Sequence, residues 1–191
     1  MRRFTSDFVE TFAVRATVFA AVLAMPGCAA DIVGSSDSEL TQLQDAQAGA
    51  AVSRCIYHFS GADEFACARS ATSVAAVDRC VHHFSGSDKL TCAKGAKSGD
   101  GVDRCAYHFS GADELACAIS AYSGAAVDRC VYHFSGSDRL TCAQGAKSGD
   151  GVDRCAYYCS GAAKLACAIS AYSGAVVDRC VYRFHRLGNP V

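Results

Sequence analysis

Cysteine recurs along this chain at alternating intervals of 12 and 13 residues, from Cys55 through Cys67, Cys80, Cys92, Cys105, Cys117, Cys130, Cys142, Cys155 and Cys167 to Cys180. So strict a period decides the architecture before any local motif is read, because each unit must meet its neighbours in the same way. The units are 25 residues long and begin at Arg54, Arg79, Arg104, Arg129 and Arg154, with a truncated sixth at Arg179. Residues 104–128 read RCAYHFSGADELACAISAYSGAAVD and residues 129–153 read RCVYHFSGSDRLTCAQGAKSGDGVD. Alternate units resemble each other more than neighbours do. A 50-residue period therefore lies over the 25, as duplication of pairs would leave it.

Each unit divides at its Ser-Gly pairs into SGADELACAISAY (110–122) and SGAAVDRCVYHF (123–134). In the second half Val127, Cys130, Val131 and Phe134 are apolar at i, i+3, i+4 and i+7, which is one face of a helix. Leu115, Ala118, Ile119 and Tyr122 repeat that spacing in the first half. Two-residue alternation fails, since Val127, Arg129, Val131 and His133 would share one side of a strand. The spacing predicts an all-α array of short helical hairpins, each helix two to three turns long. A Cys-rich β-solenoid is the alternative architecture. Ser110 with Asp113 reads as a capping-box start, echoed at Ser60/Asp63, Ser85/Asp88 and Ser135/Asp138. Gly61, Gly86, Gly111 and Gly136 suit the turns. The stretch Lys94–Gly99 marks weaker helices, because Gly costs about 1 kcal/mol against Ala.

The chain carries 13 Cys, no Trp and only two Met. Large apolar side chains are sparse, so a deep hydrophobic core is hard to assemble, and helices this short are marginal alone. Whether so many sulfurs mean metal or disulfides depends on the compartment. Arg2 and Arg3 precede the uncharged run Ala16–Met25, ten residues long. A bilayer span needs about 20 residues, whereas this length suits the apolar region of a signal peptide. Leu23-Ala24-Met25-Pro26-Gly27-Cys28 then resembles a bacterial lipobox. That resemblance implies cleavage before Cys28 (with 1–27 as signal peptide), diacylation of Cys28, and a membrane held by that lipid anchor in the cell envelope, at the outer membrane or cell surface. A cut after Ala30, giving a secreted soluble protein, is the alternative. Residues 28–47 read as lipidated terminus and flexible tether, and 48–191 as the repeat domain.

Export makes the cysteines structural, and both cleavage routes remove Cys28 from pairing. Two bridging schemes are open. Pairing within each unit gives 55–67, 80–92, 105–117, 130–142 and 155–167, leaving Cys159 and Cys180 to close the end of the array. A shifted ladder, 67–80 and onward, strands Cys55 with Cys159 far apart, so the first scheme is expected. The Ala-Cys-Ala runs at 66–68, 116–118 and 166–168 remove bulk and allow the Cα separation of about 5.5 Å that a bridge needs.

Cys55/His58, Cys80/His83, Cys105/His108 and Cys130/His133 form Cys-x-x-His pairs that could serve zinc or copper sequestration, the alternative function. Against it, the His becomes Tyr158 and then Arg183 while the Cys persists. No metal site and no cofactor are therefore expected. Tyr57, Tyr107, Tyr132, Tyr157 and Tyr182 recur at one position. Packing between successive repeats is the simpler expectation for them, with the adjacent Asp and Arg as a solvated ion pair. A stripe that binds a protein or glycan partner is the other reading. No catalytic motif is present, and every reactive group occurs several times, whereas active sites rest on one asymmetric constellation. No enzyme is expected. The net charge of −1 gives no ground for nucleic acid.

The strings SGxDxLxCA and VDRCxYHF are also similar to uncharacterised Cys-rich repeats in exported proteins of predatory and soil bacteria. That resemblance implies no activity. The expectation is an exported, lipid-anchored envelope repeat protein with a structural or interaction role.

Overall fold

The half-units predicted from the Ser-Gly spacing are the helices of the protein. A computed structural model describes residues 49–186, with side chains as far as Tyr182. The expected signal peptide, Cys28 and the expected tether lie outside the described residues. A first helix, α1, runs through residues 49–58. It is followed by α2 (Ala62–Ala68), α3 (Val74–His83), α4 (Gly86–Gly95), α5 (Gly99–His108) and α6 (Ala112–Ala118). Then come α7 (Gly124–His133), α8 (Ser137–Gly145), α9 (Gly149–Tyr158), α10 (Gly161–Ser170) and α11 (Gly174–Arg186). The described residues hold no strand, which rules out the β-solenoid for them. None of their helices is long and apolar enough to cross a membrane.

Each odd-numbered helix pairs with the even-numbered helix that follows it, and each layer stacks on its own kind. The result is a two-layer run of hairpins. Odd helices begin at a capping Ser: Ser73, Ser98, Ser123 and Ser148 accept from the N–H of Ala76, Gly101, Ala126 and Gly151 at 3.1–3.3 Å. These are the serines of the second Ser-Gly position. Ser110 and its equivalents, expected to cap the even helices, make no such bond: Gly61, Gly111 and Gly136 intervene as N-caps, with φ 59° at Gly111, and Ser85 holds the N-cap position without a side-chain bond. That left-handed turn, closed to most side chains, sets the chain back along the first helix. Lys94–Gly99 is no weak helix interior either. Gly95 ends α4 and Gly99 opens α5, so the glycines fall at helix ends.

The sulfurs occupy the centre. Between described residues five bridges form, Cys55–Cys67, Cys80–Cys92, Cys105–Cys117, Cys130–Cys142 and Cys155–Cys167, each with Cα atoms 5.5–5.6 Å apart. This is the within-unit scheme, and every bridge ties the two helices of one hairpin. The expected closing pair of Cys159 with Cys180 does not form, and Cys159 is a free thiol. Cys159 caps the end of α9, where the other units carry Phe84, Phe109 and Phe134. It stands in for a packing aromatic, and burial pushes its thiol pKa up. The largest side chains wholly removed from solvent are Val77, Val102, Val127, Val152 and the bridged cysteines. Valine and cystine thus form the core that longer helices would build from Leu and Phe. By the loop-entropy estimate each bridge contributes about 3 kcal/mol.

The 50-residue period is visible as two alternating joints between odd helices. Where α5 meets α7, Asp100 Oδ2 accepts from the Gly124 N–H at 2.9 Å, and Asp150 does the same for Gly174 at 2.8 Å. In the intervening joints Ala75 and Ala125 take the place of Asp. Their backbones lie so near Gly99 and Gly149 that an added Cβ would come within 2.8 and 2.9 Å.

Candidate interaction face

The sequence Val-Asp-Arg-Cys-x-Tyr-His places its polar members around the odd helices by simple rotation, 100° per residue. With Cys turned inward, Arg and His lie close together on one flank. Tyr, two residues beyond Cys, points away from the core. Stacking then brings the Arg and His of one hairpin against the Asp of the next. His58, His83, His108 and His133 set Nε2 at 3.1, 2.7, 2.8 and 2.7 Å from Oδ1 of Asp78, Asp103, Asp128 and Asp153. Arg54, Arg79, Arg104 and Arg129 reach Oδ2 of the same carboxylates at 3.2–3.5 Å. In the next joint Arg154 still meets Asp178 at 3.4 Å, but Tyr158 stands in the His position. There the buried Asp178 Oδ1 makes no hydrogen bond.

The Asp-Arg pair expected from the sequence does form and stays half in water, but it is made between hairpins and not between chain neighbours. Each ion pair joins two hairpins, and a separation of 24 residues in sequence gave no local sign of it. The Cys-x-x-His pairs are likewise parted. Each Cys turns inward to its bridge, while each His turns along the array to a carboxylate. Among the described residues no group of three or more His, Cys, Asp or Glu side chains is placed to hold a metal ion.

Outside this ladder lies the aromatic stripe. Tyr57, Tyr107 and Tyr132 are each 77% exposed, Tyr157 is 78% and Tyr182 60%. The expectation that they pack between repeats is therefore overturned. Tyr57, Tyr107 and Tyr132 meet the His that follows edge-on, with ring centroids 4.8 Å apart, which fixes the His without covering the Tyr. His82 holds the equivalent place in its own unit, again edge-on to His83. Stacked helices lie about 9 Å apart, so the rings recur at about that interval. Asp150, Asp153, Arg154 and Tyr157 line a surface hollow on this face.

The even layer uses its cations differently. Lys89 lies 5.0 Å from the Phe59 ring centroid and Lys164 lies 4.7 Å from that of Phe134. Lys164 also donates to the His133 carbonyl at 2.8 Å. A cation at a helix C-terminus is favoured by the helix dipole, so these side chains pin α4 and α10 to the preceding hairpins. Lys97 and Lys147 cover Tyr122 and Tyr172 at 3.7 and 3.6 Å. Tyr122 and Tyr172 of the even layer thus carry a cation, whereas Tyr57, Tyr107, Tyr132 and Tyr157 of the odd layer are more than three-quarters exposed.

Comparison with protein-family models, with curated proteins and with solved structures gives no match to this chain. The function must be read from the face itself.

Proposed function

We propose that the protein is an exported cell-envelope repeat protein, anchored by a lipid on Cys28, that holds a protein or glycan partner on the tyrosine face of its odd helices. The exposure of Tyr57, Tyr107, Tyr132 and Tyr157 carries this reading. Aromatic side chains left in water at equivalent positions, each with an Arg one turn away, have the composition of binding surfaces. Hairpins locked by disulfides hold the rings in fixed relative positions, which lowers the ordering cost of a multivalent contact. Five bridges also support folding in an oxidising compartment, hence export. Repetition of one simple motif favours such a role over catalysis.

Two measurements on protein expressed in a bacterial host test the two halves of the proposal. Mass spectrometry of the mature N-terminal peptide should find Cys28 diacylated. A terminus at Asp31, or Cys28 in a disulfide with Cys180, would overturn the anchor. For the face, the repeat domain should sediment with isolated envelope material. A variant with Tyr57, Tyr107, Tyr132 and Tyr157 all changed to Ala should lose that binding while keeping its helical spectrum. Equal sedimentation of both proteins, or of neither, would overturn the role of the stripe.

A further inference from the structure

The first even helix, α2, is stacked on one side only among the described residues. Phe65 is 64% exposed, whereas Leu115, its counterpart in α6, is partly buried against the core. Ala68 and Ala71 are partly open, while the corresponding Ala118 and Ala121 are fully buried. Terminal units of repeat arrays need a cover for such a face, because every internal unit buries it against a neighbour.

The sequence just before α1 supplies one. Residues 35–54, SSDSELTQLQDAQAGAAVSR, align without a gap at the 50-residue period with residues 85–104, SGSDKLTCAKGAKSGDGVDR. Ser35, Leu40, Thr41, Ala46, Gly49, Val52 and Arg54 are identical to their counterparts. Leu40, Leu43 and Ala46 fall on the places of Leu90, Ala93 and Ala96, the apolar face of α4. Gln42 falls on the place of Cys92, and no hairpin partner precedes it for a bridge to reach. Charge agrees with the register. In the internal joints Gly95 lies against Ile119 and Gly145 against Ile169, each pair 24 residues apart. One 50-residue period earlier, those positions are Asp45 and Arg69, and Arg69 is exposed on α2.

We propose that residues 35–48 form a cysteine-free capping half-repeat that docks on α2 through Leu40, Leu43 and Ala46, with Asp45 opposite Arg69. The cap would seal the N-terminal end of the array and leave only residues 29–34 as spacer after Cys28. It stands whether or not the tyrosine face binds a partner.

Hydrogen exchange on the exported full chain tests it. Amides of 37–46 should exchange at least about tenfold more slowly than in an unfolded peptide. Leu40→Asp with Leu43→Asp should abolish that protection and raise exchange in α2, leaving α8 and α10 unchanged. Thr41→Asp, at the counterpart of exposed Thr91, should change neither. Unprotected amides at 37–46, or an α2 indifferent to the double substitution, would overturn the proposal. So would protection of α2 that appears only at concentrations where light scattering shows a dimer, since a second copy would then be the cover.

Discussion

His108 Nε2 and Asp128 Oδ1 meet at 2.8 Å although they belong to different hairpins, and Arg104 closes on the other oxygen of the same carboxylate at 3.3 Å. One Asp thus receives two donors from the hairpin before it. The disulfides make each hairpin, and this three-residue contact joins one hairpin to the next. The pairs are half in water, so each is worth a fraction of a kcal/mol, but the Arg–Asp pair recurs at five joints and the His–Asp pair at four of them.

Coupling across that joint should be measurable. His108→Ala and Asp128→Ala should each destabilise the domain, and the double variant should cost less than their sum by about 0.5–1 kcal/mol. Denaturant unfolding of the four proteins gives the coupling directly. Strict additivity would mean that the joint rests on apolar packing alone.

The joint where the ladder breaks offers the reverse test. Tyr158 occupies the His place, and Asp178 Oδ1 is buried without a hydrogen bond. The Tyr158 hydroxyl, its pKa raised by burial and then by Asp178, already meets that carboxylate without satisfying Oδ1. Tyr158→His, which sets a ring nitrogen on Oδ1 as in the other joints, should therefore raise the melting temperature, with a gain of about 0.5–1 kcal/mol. A lower melting temperature would show that the tyrosine ring contributes more by packing than the hydrogen bond returns.

Acid should loosen the alternate joints held by Asp100 and Asp150. Burial tends to raise the pKa of Asp100, but hydrogen bonds from the Gly124 N–H, Ser98 and the Gly101 N–H outweigh it and hold the carboxyl below its usual 3.8. The Gly174 N–H is the main cause of the same lowering at Asp150. A carboxylate depressed in the folded state adds stability that is fully present above the unfolded pKa. That stability is lost as pH falls through the folded value. Stability should therefore drop below about pH 4, and Asp100→Asn with Asp150→Asn should flatten the drop. Denaturant midpoints between pH 7 and pH 2 check this. Equal slopes for the two proteins would count against it.

Glycine at the close joints should resist substitution more than glycine in open turns does on steric grounds. A Cβ on Gly124 would lie 2.8 Å from the Asp100 carbonyl oxygen, so Gly124→Ala must push two helices apart and should cost about 1–3 kcal/mol. Gly111→Ala meets no atom, and its cost of about 1–2 kcal/mol comes from its positive φ alone. Thermal melts of both should show lost joint cooperativity for the first and a simple shift for the second.

Much of the fold was legible because the period is strict. Helical spacing at Val127, Cys130 and Phe134 gave the helices, and stranding of Cys55 under the shifted ladder gave the bridges. Two readings failed where local chemistry was weighed without geometry. Ser110 with Asp113 looked like a cap, yet the left-handed Gly111 starts the helix one residue later, and Ser123 does the capping elsewhere. Tyr132 looked like packing material, although a residue two places from an inward Cys lies about 200° round the helix. The cross-repeat pairs were hidden for another reason. Which flank meets which neighbour depends on how hairpins stack, and no single unit contains that information.

The central claim is that cystine replaces the hydrophobic core these short helices lack. Circular dichroism melts of the exported protein, before and after complete reduction and alkylation, test it most directly. The oxidised protein should melt cooperatively, and the alkylated protein should have lost its helix at 25 °C, since bridges of about 3 kcal/mol each together reach the top of the usual range of net stability for a domain. A fully alkylated protein that kept its helical spectrum and a cooperative transition would contradict the account.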